Sequence, residues 1–388
     1  MKDAAEKYGY IIAASNNSRN GSWKLESEAA EAVFQDSRAR LSIDDKRIYF
    51  AGFSGASRVS ASLAQRCKCS AGVILAGAGF EPDPKAADGA FPVFSSTGSF
   101  DFNYGEMIAL DEASEKMRTP HFLRRFEGPH QWPPAAVYDE AFAWLRLQAM
   151  KSGRDARDDA FVAGQVALAA KRVEAFESAD PFAAWFEARQ AAETFDGLAN
   201  VAQFQARQKS LESSKVVTDA VKHEKQEINE QRDISADIYS AMGALATRDP
   251  ANDSPRALTS NDVRQKILTL KNRAEHEKRA EKARVLKRAL AGVFVTAMES
   301  GRGRMDVNDA RGAKDYFELA TGADPDSVWA LTSLAVARAS DGDKKATLET
   351  LRRLKEKWDD GQAFHEWLAA QAAFAKMRET QEFRSLSQ

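Results

Sequence analysis

Through the first 150 residues, short dense apolar runs alternate with polar, helix-compatible stretches. Four runs stand out: Arg47-Ile-Tyr-Phe-Ala-Gly-Phe, Ala71-Gly-Val-Ile-Leu-Ala-Gly, Phe91-Pro-Val-Phe-Ser-Ser-Thr and His121-Phe-Leu-Arg-Arg-Phe. Runs of this length, rich in β-branched and aromatic residues and bounded by Gly, Pro or Asp, predict buried strands. Strands alternating with helical sequence predict βα units and a parallel sheet. At the N-terminus, a helix tail is expected to lead into a short strand over residues 10–14 and then a polar loop.

Past Met150 the strand signals stop. Ala, Glu, Lys, Arg, Gln and Leu dominate, with apolar residues three and four apart, which predicts amphipathic helices. Segments 157–177, 179–198, 200–246, 260–300, 307–322, 326–340, 343–358 and 361–377 read this way. Breaks are expected at Asp180-Pro181, across 247–255 and at Gly322-Ala-Asp-Pro325. The polar stretch 205–235 reads as a solvated helix face or a hairpin. The fold class expected is therefore α/β followed by all-α. Its parts are an α/β portion (1–150), a helical linker or bundle with a long charged helix (151–255) and helical repeats (256–388).

Within the last part, Ala313, Phe317, Ala320 and Pro325 have the spacing of a repeat's second helix and closing proline. Leu331, Leu334, Ala335, Gly342, Leu351 and Leu354 continue in phase. The pattern resembles tetratricopeptide repeats, departing from them at Arg338 and Thr347. Such a resemblance implies a stacked helical array with a groove for a protein partner. A generic helical bundle fits the same composition.

The candidate chemistry lies in the first part. Gly52-Phe-Ser54-Gly55-Ala56 joins a strand run directly to a helical one. A serine on so sharp a turn presents its hydroxyl away from the backbone, and neighbouring amides can face a developing oxyanion. Residues two before and two after the serine must be small. Further on, Asp101 follows the third run and His130 the fourth. Both lie where a parallel sheet collects its functional loops. His121 opens a strand, at the wrong end, so His130 is the better base. Asp111 and Glu127 are rival acids, the first inside a helical run and the second close to His130 in sequence. Phe53, Phe100 and Trp132 flank the site, either as substrate walls or as packing. Asn103 and Tyr104 have two readings, bonds to Asp101 or turn capping. His223, His276 and His365 fall on polar helices and read as surface residues.

The run Ile43-Asp-Asp-Lys-Arg-Ile-Tyr-Phe-Ala-Gly-Phe-Ser-Gly, the Gly98-x-x-Asp101 turn and the Gly-x-His130-x-Trp132-Pro133 turn together resemble the esterase branch of the α/β-hydrolases. Polyhydroxybutyrate depolymerase-like and feruloyl-esterase-like proteins belong to that branch. The resemblance covers about residues 1–150. It implies Ser54 as nucleophile, His130 as general base and Asp101 as the residue that orients it. The Gly55 amide would be an oxyanion donor, with Phe53 and Trp132 beside the substrate. The chain departs from the family at Ala56 and Pro129, and the family's early strands, which supply a second oxyanion donor, have no counterpart before the elbow. The chemistry so implied uses neither cofactor nor metal.

Charge narrows the partners. Residues 1–150 hold 17 basic and 19 acidic side chains, and the remainder holds 38 of each. Neither part has the basic excess of a nucleic-acid binder. No apolar run reaches the ~18 residues of a membrane span. Met1 is not followed by a basic-then-apolar leader, which predicts a cytoplasmic product; an upstream start would allow a periplasmic or secreted one. Cys67 and Cys69, the two cysteines, are expected as separate thiols. The activity expected is a serine hydrolase acting on small or polymeric carboxylic esters, with helical repeats for a protein partner. The alternative is a non-catalytic scaffold that binds partners through those repeats.

Overall fold

The computed structural model describes residues 1–16, 23–80, 91–246 and 258–386. The chain forms two compact units, Met1–Ile228 and Asn229–Gln388. The first contains α1 (Lys2–Tyr8), α2 (Trp23–Arg40), β1 (Ile48–Phe53), α3 (Gly55–Cys67), β2 (Ser70–Ala76), β3 (Val93–Gly98), α4 (Tyr104–Lys116), β4 (His121–Phe126) and α5 (Ala135–Lys151). Helices α6 (Asp159–Glu177), α7 (Pro181–Phe195) and α8 (Ala202–Glu212) follow, and α9 (Lys215–Ala246) runs past the division. An α/β unit is thus followed by an all-helical one, as the apolar pattern predicts.

The four strands are parallel and ordered β1-β2-β3-β4, so all their C-terminal ends share one edge of the sheet. Side chains alternate between two cores. Val73, Leu75, Val93 and Leu123 pack with Ala61 and Ala64 of α3 and Met107 and Leu110 of α4. Ile74, Phe94 and Phe122 face the other way, onto Ala141, Phe142, Trp144 and Leu145 of α5. Phe94 is fully buried and stacks on Phe122 with ring centroids 5.2 Å apart. Burial of such a ring contributes about 1.5–3 kcal/mol. Together the two cores make the sheet edge a firm mount for its loops.

Helix α7 closes the outer edge of β4. Leu123 donates its N–H to Gln190 Oε1 at 2.6 Å. Beside it, Arg124 is clamped by Glu140 of α5 and Glu187 of α7. Burial works against the Arg124 charge, but the two carboxylates outweigh it and hold its pKa above the usual guanidinium value. A buried pair of this kind adds little net stability, yet losing one partner strands a charge, so the cluster fixes where α7 docks. Covering the edge also removes a template for unwanted strand pairing.

Three local expectations are corrected. Residues 10–14 form no strand. Tyr10 donates its N–H to Ala5 O at 2.8 Å and lays its ring against Tyr49 and Phe142, while Ile11 and Ile12 stay exposed. Without a ladder partner, β propensity does not make a strand. Helix α2, to which the apolar pattern assigns no element, comes between these residues and β1 in the chain. Cys67 and Cys69 are joined in a disulfide: Lys68 caps α3 in the left-handed conformation (φ +50°) and folds the two Cα atoms to 5.1 Å. Finally, the polar stretch 205–235 is only partly solvated. It divides at Ser213 and Ser214, and Glu224 turns inward to accept from Tyr104 Oη (2.5 Å) and Arg125 (3.0 Å).

The second unit holds the rest of α9, then α10 (Ser260–His276), α11 (Ala280–Asp306), α12 (Ala310–Ala323), α13 (Val328–Ser340), α14 (Lys344–Lys357), α15 (Gly361–Ala370), a 3₁₀ turn (Ala372–Met377) and α16 (Gln381–Arg384). The single helix expected over 260–300 is two, because Glu277 leaves helical geometry and bonds the backbone N–H and guanidinium of Arg279. Asp309, Ser327, Asp343 and Asp360 cap successive helices through their side chains. Ala313, Ala320 and Ala335 are fully buried, as close helix approach requires. Arg338, where the repeat pattern has an aromatic residue, bridges Thr350 Oγ1 and Glu318 at 2.7 Å each. The break expected across 247–255 lies outside the described residues.

Candidate active site

Strand β1 delivers Ser54, and the turn there is as sharp as the sequence implies. Ser54 has φ +56° and ψ −125°, a conformation rarely held by a non-glycine residue. A Cβ at Gly52 would lie 2.3 Å from the carbonyl carbon and oxygen of Ala56. Glycine is therefore mandatory at that position, whereas Ala56 is exposed and its methyl meets no such limit. The buried Ser57 ties the turn to the next strand. Its Oγ lies 2.7 Å from Gly52 O and accepts the Ala76 N–H at 3.0 Å. Ser54 donates its own N–H to Ala76 O at 2.8 Å. That leaves the Gly55 N–H in the first turn of α3, where helix N–H groups have no acceptor within the helix.

The acid and histidine loops are fastened to each other. Phe100 N–H donates to Gly128 O (2.9 Å) and Ser99 N–H to Phe126 O (2.8 Å). Ser99 Oγ bonds Glu127 at 2.6 Å, so this rival acid belongs to the fastening. Gly98 packs so closely that a Cβ would sit 2.3 Å from Gly128 O. Asp101, 1% exposed, stands at the end of its turn with Oδ1 and Oδ2 at 2.9 and 3.0 Å from His130 Nδ1. On the other side, His130 Nε2 is 2.9 Å from Ser54 Oγ. A carboxylate can only accept, so Nδ1 carries the imidazole hydrogen and Nε2 turns its lone pair to the serine. The geometry forms with Pro129 in place.

Three residues from three loops thus form one continuous hydrogen-bonded chain. The other candidates stand apart from it. His121 is buried at the opposite end of the sheet, with Nδ1 2.9 Å from Thr119 O and Nε2 3.4 Å from Asp111. Asp111 is held by Arg189 at 2.5 Å. His223 and His276 are exposed, and His365 is half-buried on α15.

Aromatic rings enclose the imidazole. Phe53 lies 4.6 Å and Phe102 4.4 Å from its centroid, and Trp132, 57% exposed, lies 5.1 Å from Phe53. Phe53 and Trp132 therefore sit at the site, whereas Phe100 is half-buried in the acid turn. Sequence reasoning passed over Phe102, although its place beside Asp101 was a usable signal. It also passed over Gly77, just past β2 with φ +64°. A Cβ there would meet Phe53 at 2.9 Å, Asp101 Oδ2 at 3.0 Å and His130 Cε1 at 3.1 Å. The imidazole and carboxylate rest directly on this glycine.

Among the described residues, no group of three or more His, Cys, Asp or Glu side chains is placed to hold a metal ion, and no helix is long and apolar enough to cross a membrane. No family model, curated protein or solved structure matches the chain.

Proposed function

We propose that this protein is a serine hydrolase acting on carboxylic esters. The observation that carries the reading is the unbroken Ser54–His130–Asp101 chain, with its 2.9 Å links on both sides of the imidazole. In the proposed reaction Ser54 Oγ attacks the ester carbonyl carbon as Nε2 takes its proton. The carbonyl electrons move onto oxygen, which the Gly55 N–H steadies. Collapse of this intermediate breaks the carbon–oxygen bond, and Nε2 returns the proton to the departing alcohol. Water then repeats both steps on the acyl-serine and releases the acid. Asp101 holds the imidazole in the tautomer that can accept a proton and balances its charge once it has done so. Phe53, Phe102 and Trp132 offer apolar surface to the substrate.

For the fold, the parallel order of β1 to β4 and the elbow after β1 support an α/β-hydrolase relationship. In the second unit the capped helices α12 to α14, packed in succession on fully buried alanines, support a tetratricopeptide-like reading and a protein partner.

The test is labelling of the purified chain with a fluorophosphonate probe, followed by peptide mapping. The adduct is expected on Ser54 and is expected to vanish in Ser54→Ala and in His130→Ala. A folded chain that takes up no probe, or takes it up elsewhere, would sink the hydrolase reading in favour of a scaffold.

A further inference from the structure

Asn103 holds two pieces of the site at once. Its backbone N–H donates to Asp101 Oδ1 at 2.8 Å. Its carboxamide Nδ2 reaches across to the Gly77 carbonyl, also at 2.8 Å. Gly77 is otherwise fixed through its own N–H, which donates to Ser96 O at 2.9 Å. Gly77, the residue on which His130 and Asp101 rest, is thus held on both sides, its N–H by the sheet and its carbonyl by Asn103.

Each contact has a distinct consequence. The amide bond stabilises the buried Asp101 carboxylate and fixes its rotamer. The carboxamide bond sets the tilt of the Gly77–Ala78 peptide, which a glycine in the left-handed region does not set by itself. Because Gly77 has no side chain, any rotation of that peptide transfers directly to the imidazole stacked on it.

We propose that Asn103 is a positioning residue: its carboxamide locks the Gly77 peptide beneath the Asp101–His130 pair and so keeps Nε2 aimed at Ser54 Oγ. This inference rests on the serine-hydrolase reading. It assigns the side chain a donor's role, distinct from the turn capping that its position also allows. Asn103 stands at the N-cap of α4, yet its side chain accepts no N–H of that helix, and its backbone N–H bond to Asp101 survives every substitution except proline. A packing role needs only the volume, which aspartate matches. The donor role fails in both alanine and aspartate, and aspartate is the worse because it sets a charged acceptor against the Gly77 carbonyl.

The experiment compares wild type, Asn103→Ala and Asn103→Asp in the full-length chain. It reads the rate of fluorophosphonate labelling at Ser54 and the downfield proton resonance of His130 Nδ1–H, with thermal unfolding as the control for folding. The expected order of rates is wild type, then alanine, then aspartate, with alanine slowed about 10- to 100-fold, since a displacement of about 1 Å can cost a factor of 100. The downfield resonance is expected to shift or broaden in both variants. Aspartate labelling as fast as wild type, or alanine leaving both rate and resonance unchanged, would overturn the proposal. If alanine does not fold, the isosteric aspartate carries the comparison. If wild-type Ser54 fails to react, the hydrolase reading falls, while the Nδ1–H resonance still reports whether Asn103 orients His130.

Discussion

On the proposed mechanism, Asp101→Asn is expected to slow both ester hydrolysis and labelling of Ser54 by about four orders of magnitude while leaving the chain folded. The cause is a change of tautomer. In the native arrangement the Asp101 oxygens, 2.9 and 3.0 Å from Nδ1, can only accept, which keeps the ring hydrogen on that nitrogen. The substitution places an amide donor beside Nδ1. The Asn103 N–H, 2.8 Å from Oδ1, favours the amide oxygen at that position and so turns the NH₂ group into the place of Oδ2. Sited 3.0 Å from Nδ1, that NH₂ opposes the ring hydrogen and shifts the imidazole toward the tautomer protonated at Nε2, which has no lone pair facing Ser54 Oγ. The amide also brings no charge to balance the imidazolium that forms during attack. Shape and volume are preserved, so the unfolding transition should move little. Comparing labelling rate with thermal unfolding checks both halves of the expectation. A rate within tenfold of wild type would mean that Asp101 is a packing residue.

The parts of this architecture that were legible in the sequence are those where local chemistry decides. The four runs are strands because short apolar and β-branched segments bounded by turn residues favour that state, and β2 and β3 are buried on both faces. The elbow was readable because Gly52, two residues before Ser54, meets a steric condition internal to five residues. Asp101 and His130 could be placed because the ends of parallel strands gather at one edge. Where the outcome depends on a distant partner, the sequence misled. Residues 10–14 have strand composition, but Tyr10 finds Tyr49 and Phe142 in place of a neighbouring strand. Helix α2, written in Ala, Glu and Arg, was hidden by its polarity, and none of its residues is buried. Gly77 and the carboxamide of Asn103 had no local signature: their role exists only because β2 and β3 lie side by side. The pairing of Cys67 with Cys69 lies at the end of α3, where Lys68 takes the left-handed conformation, a feature that composition does not encode.

Gly52→Ala is expected to reduce labelling at Ser54 by about a hundredfold or more, although the added group is one methyl. The contacts explain why so small a change acts so strongly. Its Cβ would lie 2.3 Å from the carbonyl carbon and oxygen of Ala56 and 2.5 Å from the nitrogen of Ser57, and all three are backbone atoms. No rotamer can relieve the overlap, so the first turn of α3 must move away from the end of β1. That movement breaks the Ser57 Oγ contact with Gly52 O and carries Ser54 Oγ off its 2.9 Å line to His130. Overpacking of this kind costs about 1–3 kcal/mol in stability, so thermal unfolding should fall along with the labelling rate. The same substitution at Gly164, inside α6 with nothing within 4 Å of the added carbon, is expected to do the reverse. There alanine relieves a weak helix position, raising stability by up to about 1 kcal/mol with labelling unchanged. Equal labelling of Gly52→Ala and wild type would refute the tight elbow. Opposite outcomes at the two glycines would show that what holds Ser54 in place is the close approach of β1 to α3, a feature that five residues of sequence specify and the rest of the unit only supports.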